Sequence, residues 1–231
     1  MADSSNKTPL NKLIDNIMQD LYKDRERDII IGRFGLNGKK KTLDAIGKDY
    51  GVTRERIRQL EKGMIIRLQV KAEEGKLLGF ADYEESLAVE IQKVGGICSI
   101  LKLSQLIKEG DSKETIARNS FITLISSKLL LIDDSDDYNQ SAVLASHYKS
   151  PSEASKDVDK IVGTLTVNKK PISISELKKS NSLGQSEQEL ETKLLVSKNT
   201  YQRKGLWGLK SWSSVNPKSI KDKIYIVLKE G

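Results

Sequence analysis

Apolar residues recur at three- and four-residue steps over the first part of the chain, a periodicity typical of amphipathic helices. Residues 10–31 show it in Leu13, Ile17 and Leu21, before a polar, glycine-marked stretch interrupts the pattern. Two more helices are predicted at residues 42–50 and 53–68, because each begins with a threonine that can cap a helix N-terminus. A turn of Gly51 and Val52 separates them, so the segment is predicted to form a helix-turn-helix.

The second of these helices has two distinct faces when its residues are placed at about 100° intervals. Its apolar face carries Ile57, Leu60, Met64 and Leu68. Its polar face carries Arg54, Glu55, Arg58, Gln59 and Lys62. The apolar face of such a helix packs on a core, and its polar face either contacts only solvent or reads DNA. The residue types favour DNA, because arginine and glutamine can bond guanine and adenine edges and glutamate can accept from cytosine.

Charge is unevenly distributed along the 231 residues, which carry 39 basic and 32 acidic side chains in total. Residues 1–79 hold 17 basic and 12 acidic groups, residues 80–151 hold 7 and 11, and residues 152–231 hold 15 and 9. The basic excess of the first segment lies within residues 39–71, so that is where a polyanionic partner such as double-stranded DNA is expected.

The sequence contains few of the residues that catalysis and metal binding usually require. The single cysteine and single histidine argue against a disulfide, a zinc site or a histidine-based triad. The glycines from Gly32 to Gly38 have the wrong spacing for a phosphate loop, and residues 133–137 lack the rest of a calcium-binding loop. We therefore expect no catalytic residue, metal, cofactor or small-molecule substrate, and no enzyme. The sequence shows neither an apolar leader nor an apolar run long enough to span a membrane. We therefore expect a cytoplasmic protein with no membrane partner.

The rest of the chain repeats one plan twice, with three helices followed by a β-hairpin. The predicted fold class is therefore mainly α, with a helix-turn-helix bundle, two winged-helix-like modules and a C-terminal helix. The predicted domains are residues 1–79, 80–150, 151–214 and 215–231, the last being a helix that could begin a truncated further module. We call the first three the N-terminal, middle and C-terminal modules.

Charge distinguishes the two winged-helix-like modules. The middle one is acidic, with residues 133–137 at its hairpin, and is expected to repel phosphate and to meet a basic protein surface or remain solvated. The C-terminal one is basic, and residues 202–204 of its hairpin are expected either to add phosphate contacts or to remain solvated. Its two tryptophans, Trp207 and Trp212, are predicted to be core residues.

Residues 25–68 closely resemble region 4 of the bacterial sigma-70 family. The resemblance is carried by Arg33-Phe-Gly-Leu36, Thr42-Leu-Asp-Ala-Ile-Gly-Lys48 and Thr53-Arg-Glu-Arg-Ile-Arg-Gln-Leu-Glu61. It implies a sequence-specific, DNA-binding transcription protein that reads a promoter −35-like element and contacts RNA polymerase core through the flap of the β subunit. A weaker resemblance, to HARE-type helix-turn-helix domains such as that of the polymerase delta subunit, covers residues 170–177 and 205–212.

The sigma resemblance implies a role for particular residues. Base contacts are expected from Arg54, Glu55 and Gln59. Phosphate contacts, or positions beside phosphates, are expected for Arg33, Thr42, Leu43, Arg58 and Lys62. Gly63 stands where the family usually has a lysine, which removes one expected phosphate contact.

Nothing upstream of the matched residues supplies the sigma region that melts a promoter. The sequence therefore predicts a promoter reader or polymerase-bound regulator without that function. The alternative is an interaction module that docks on the polymerase flap, or on an anti-sigma-type partner, and binds no DNA.

Overall fold

The computed structural model describes residues 10–180, 184–220, 222, 224 and 228. The N-terminal helices are α1 (Leu10–Gln19), α2 (Asp24–Phe34), α3 (Leu43–Asp49) and α4 (Arg54–Glu73). The middle module contains α5 (Phe80–Lys93), β1 (Ile97–Ser99), α6 (Ile100–Leu106), α7 (Lys113–Ile125), β2 (Leu129–Ile132) and β3 (Ser141–Leu144). The C-terminal module contains α8 (Pro151–Asn168), β4 (Ile172–Ser173), α9 (Ile174–Ser180), α10 (Glu187–Val196), β5 (Thr200–Arg203) and β6 (Leu206–Leu209).

The predicted helix-turn-helix is formed by α3 and α4, and local hydrogen bonds fix where each helix begins. The Thr42 hydroxyl accepts from the Ala45 amide at 3.1 Å, and the Thr53 hydroxyl accepts from the Arg56 amide at 3.1 Å. The turn between the helices comes so close to Gly47 that a Cβ there would lie 2.7 Å from the Val52 carbonyl oxygen. A glycine is therefore needed at this position for α3 to pack against the turn.

Helix α4 continues to Glu73, five residues beyond the predicted end, because its next glycine is Gly75 with a positive φ of 68°. Gly63 lies in the middle of this helix, and nothing lies within 4 Å of the position that its Cβ would take. Gly63 is therefore a glycine that the packing does not require.

Replacing Gly63 by alanine is expected to raise the free energy of unfolding by about 0.5–1 kcal/mol, since alanine restricts the unfolded chain and favours the helix. The midpoint of urea unfolding, followed by circular dichroism, measures the change. Gly51→Ala is the matched control, because Gly51 also has open space around it but has a φ of 61° that alanine adopts with strain. A loss of stability in Gly63→Ala would contradict the expectation.

The middle and C-terminal modules share one plan, as the sequence predicts. In each, a helix, a strand and two helices are followed by a two-stranded hairpin, and the first strand pairs antiparallel with the last. The strand orders, β1-β3-β2 and β4-β6-β5, are equivalent. The mainly α fold class with small β-hairpins is confirmed, whereas eight of the 17 residues of the predicted C-terminal helix at residues 215–231 lie outside the described residues.

The apolar core crosses the predicted border between the first two modules. One cluster of buried side chains extends from Leu10 to Leu144 and includes Ile57 of α4 and Phe121 of α7. A second cluster lies inside the C-terminal module around Trp207, which is buried as predicted. A third cluster joins the middle and C-terminal modules. The predicted border at residues 79 and 80 therefore does not separate two hydrophobic cores, and the division into domains stays a prediction.

Candidate nucleic-acid interface

The polar face of α4 is accessible at its N-terminal end. The side chains of Arg54, Glu55 and Arg58 are 68%, 57% and 56% exposed, and Gln59 is exposed beside them. The opposite face is anchored in the core by Ile57, Met64 and Leu68. The helix thus presents its first two turns to solvent, the part of a recognition helix that contacts base edges in a helix-turn-helix protein.

The exposed polar side chains are bonded to one another. Arg58 donates from Nε and from Nη2 to the two carboxylate oxygens of Glu55, each at 2.8 Å. Gln59 lies within 3.4 Å of the same carboxylate and also accepts from Arg56 at 3.4 Å. The hydrogen bonds and charge of Arg58 hold the pKa of Glu55 below its ordinary value, so this carboxylate is an acceptor at neutral pH.

Arg54 and Arg56 flank this group. Arg54 lies 3.6 Å from the carboxylate of Asp44 on α3, which orients its guanidinium from the neighbouring helix. Arg56 is exposed and bonded to Gln59, although neither the periodicity nor the resemblance singles it out. Its position in the first turn of α4 is the feature from which Arg56 could have been predicted as a candidate contact to DNA.

The residues expected at phosphates occupy three different environments. Thr42 and Leu43 stand at the N-terminus of α3, where first-turn amides lack partners within the helix, although the Leu43 side chain itself packs against the core. Lys62 is exposed on α4. Arg33 donates instead to Glu61 at 3.0 Å in a partly buried ion pair that links α2 to α4.

The third helix of the middle module is enclosed by its own chain. No residue of α7 between 114 and 125 is exposed, and Phe121 lies 5.1 Å from the ring of Phe34 on α2. Gln69 of α4 donates to the Leu124 carbonyl at 3.0 Å, which fixes the far end of α4 against this helix. Helix α7 is therefore not accessible to a DNA groove in this arrangement.

The third helix of the C-terminal module is likewise packed on the module before it. Helix α10 lies against β1, and its one basic residue, Lys193, is 4% exposed and bonded to Asp157 on α8 at 2.5 Å. The exposed positions of α10 are Glu187, Gln188 and Glu191, which carry no positive charge. Neither downstream third helix thus presents a face suited to phosphate.

The acidic loop of the middle module meets a basic side chain of this same molecule. Lys198 lies 2.8 Å from the Asp134 carboxylate and donates to the Ser135 carbonyl at 2.7 Å. Asn199 donates to the Asp137 carboxylate at 3.1 Å. The loop therefore contributes to the joint between the middle and C-terminal modules.

Candidate sites for other chemistry do not gain support. The part of the chain that the structure describes contains no cluster of three or more His, Cys, Asp or Glu side chains suited to a metal ion. Burial raises the pKa of the Cys98 thiol to about 12, which makes it a poor nucleophile. Among the described helices, none combines the length and the apolar character needed to cross a bilayer.

Comparison with known proteins agrees with this geometry. The family model of sigma-70 region 4 matches residues 23–69, which include α3, the turn and α4 as far as Gln69. RNA polymerase sigma factor SigA of Lactococcus lactis subsp. cremoris is 43% identical over 69 residues, which cover 29% of this chain and 19% of that protein. SigA of Lactococcus lactis subsp. lactis (strain IL1403) is also 43% identical over 69 residues, covering 29% of this chain and 18% of its own length.

These matches confirm the resemblance of the N-terminal segment to sigma-70 region 4. They also delimit it, because the chain spans about a fifth of the length of the curated relatives it matches. The HARE-type resemblance of residues 170–177 and 205–212 stays a prediction.

Proposed function

We propose that this protein binds promoter-like double-stranded DNA through α4 and acts in transcription. The observation that carries the proposal is the exposed polar face of α4, whose opposite face is anchored in the core, within a segment that matches sigma-70 region 4. Helices α7 and α10 are covered, so α4 is the recognition helix that the geometry favours.

The bases are read by Arg54, Glu55 and Gln59 in this proposal. Arg54 bonds a guanine edge, Gln59 an adenine edge, and Glu55 accepts from a cytosine amino group. Glu55 is held between Arg58 and Gln59, so its carboxylate is already oriented before DNA arrives. This bonding reduces the side-chain ordering that recognition requires.

The phosphates are contacted from both helices of the motif. Thr42 and Leu43 lie beside a phosphate in this proposal, since both belong to the segment that matches sigma-70 region 4. Arg58 and Lys62 contact the backbone beside α4. Arg33 reaches a phosphate only by sharing or leaving its bond to Glu61, so its contribution is expected to be smaller than that of Lys62.

We also propose that the same segment contacts RNA polymerase core through the flap of the β subunit. The support is the region 4 match and the relatives, which are RNA polymerase sigma factors by name. Co-purification of the full chain with core polymerase tests this contact. Capture of polymerase together with no affinity for any duplex would favour the alternative, a protein-docking module that does not bind DNA. Neither activity involves a catalytic step.

Replacing Gln59 by alanine is expected to weaken binding to the preferred duplex by about 1–3 kcal/mol and to relax the preference at one base pair. The preferred duplex comes from selection among random sequences, and fluorescence anisotropy gives each affinity. Gln188→Ala is the matched control, since Gln188 is exposed on α10, distant in sequence from α4. An equal loss on every duplex would remove Gln59 from base recognition.

A further inference from the structure

A groove with charged, polar and apolar side chains on its walls separates α4 from the middle module, and its apolar residues include Phe34, Ile66 and Leu131. Its α4 side is formed by Arg58 and Lys62, and Lys40 of the loop before α3 also lines it. The middle module contributes Gln140 and Asp133, which come from the ends of the segment joining β2 to β3. The groove thus has side chains of two modules on its walls.

The geometry of a recognition helix determines what must pass beside α4. A helix with its side chains is about 10–12 Å across and the major groove is about 12 Å wide, so a sugar–phosphate strand lies close on each side of it. The middle module is fixed next to α4 by the bond from Gln69 to the Leu124 carbonyl. A strand on that side of α4 therefore has to pass along the middle module.

We propose that this strand lies in the groove, so that the middle module forms one wall of the DNA-binding channel. The inference rests on the proposed function and extends it to residues outside the sigma-like segment. Lys40 contacts a phosphate, Gln140 donates to the strand from the opposite wall, and Asp133 opposes the strand electrostatically.

The charges of the groove support a phosphate strand as its occupant. Lys40, Arg58 and Lys62 are cationic, and the carboxylate of Glu61 at the groove is already bonded by Arg33. Asp133 is exposed there and makes no ion pair with any residue that the structure describes, whereas its neighbour Asp134 is bonded by Lys198. A carboxylate without such a partner lowers the affinity of the groove for phosphate.

Asp133→Asn is therefore expected to tighten binding of the full chain to its selected duplex by about threefold at 0.1 M salt, because one like charge is removed within the screening length. Asp136→Asn is the matched control. It makes the same charge change in the same loop, at an exposed residue that does not line the groove. An equal effect of both variants, or no effect of Asp133→Asn, would overturn the inference.

A second pair of variants tests the positive side of the groove. Lys40→Gln is expected to make the negative slope of log K against log salt less steep by about 0.9, the value for one phosphate contact. Lys39→Gln, at an exposed neighbour that does not line the groove, is expected to leave the slope unchanged. Equal slopes for Lys40→Gln and the unaltered chain would overturn this contact.

The outcomes separate the inference from the proposed function. If the unaltered chain binds no duplex, the proposed function fails and the inference fails with it. If the chain binds a selected duplex and Gln59→Ala relaxes its preference, while Asp133→Asn and Lys40→Gln change nothing, only the inference is overturned.

Discussion

Replacing Lys193 by methionine is expected to lower the free energy of unfolding by about 3–5 kcal/mol, the usual cost of removing one partner of a buried ion pair. Lys193 is 4% exposed and Asp157 is 20% exposed, with 2.5 Å between the ammonium and the carboxylate. After the change, Asp157 keeps the hydroxyl of Tyr148 at 2.9 Å and the more distant charge of Lys160, but it loses the cation bonded to it. The free-energy cost of a largely buried carboxylate with one hydrogen bond exceeds the stabilisation gained by burying the apolar methionine side chain.

The measurement uses the two tryptophans, which both lie in the C-terminal module at positions 207 and 212. Their fluorescence follows unfolding of that module in urea, and circular dichroism follows the helices of the whole chain. The double variant Lys193→Met, Asp157→Asn is the control, because it removes the charge and keeps an acceptor for Tyr148. A double variant as unstable as the single one would show that the ion pair is not the cause.

The pH dependence gives a second test of the same pair. Burial would raise the pKa of Asp157, but the hydrogen bond and charge of Lys193, with the Tyr148 hydroxyl, hold it below its ordinary value. Such a carboxylate contributes stability above its unfolded pKa of about 3.9 and loses it as pH falls through the folded pKa. In Lys193→Met the burial of Asp157 remains without the ammonium, so the variant carboxylate takes up a proton at a higher pH than the carboxylate of the unaltered chain. The difference in stability between the two chains is therefore expected to shrink as the pH falls from the raised pKa of the variant to the lowered pKa of the unaltered chain.

This ion pair bears on function because of where it holds α10. The winged-helix-like plan alone would make α10 a candidate DNA-reading helix, with Lys193 as its cation. In the structure, Lys193 is directed to Asp157 and the outer face of α10 carries Glu187 and Glu191. The ion pair thus holds α10 against α8 within the C-terminal module, and α10 in turn packs against β1 of the middle module.

Local signals in the sequence were sufficient to predict the helix-turn-helix. Thr42 and Thr53 determine the first residues of α3 and α4 through side-chain bonds to amides three residues later. Ile57, Met64 and Leu68 share a face at helical spacing, and that face is buried. Because these features depend on residues within one or two turns, a single sequence predicts them.

Long-range pairing could not be predicted in the same way. The bond from Arg33 to Glu61 spans 28 residues and gives a partner within the molecule to an arginine that is predicted to contact phosphate. Helix α7 has no exposed residue between 114 and 125, although it contains the polar Asn119, which is buried between the Tyr83 hydroxyl at 2.7 Å and the Ser104 hydroxyl at 2.8 Å. Helical periodicity gives the orientation of a face but not the partner that covers it.

The enclosure of α7 leads to the second large effect, which is expected for Phe121→Ala. Phe121 is fully buried at the point where α7 meets α2 and α4, and its loss is expected to cost about 3–5 kcal/mol. Since one cluster of buried residues runs from Leu10 to Leu144, the N-terminal and middle modules are expected to lose stability together. Hydrogen exchange by mass spectrometry compares peptides of α4 with peptides of β2 and β3.

Equal acceleration of exchange in α4 and in the β2–β3 hairpin would show that the recognition helix is supported by the middle module as well as by its own bundle. Leu78→Ala is the control, because Leu78 is 73% exposed and its loss is expected to change stability by less than about 0.5 kcal/mol. Acceleration confined to the hairpin would support a border at residues 79 and 80. It would also mean that the proposed DNA-reading face of α4 is positioned without the middle module, so that only the far wall of the groove depends on it.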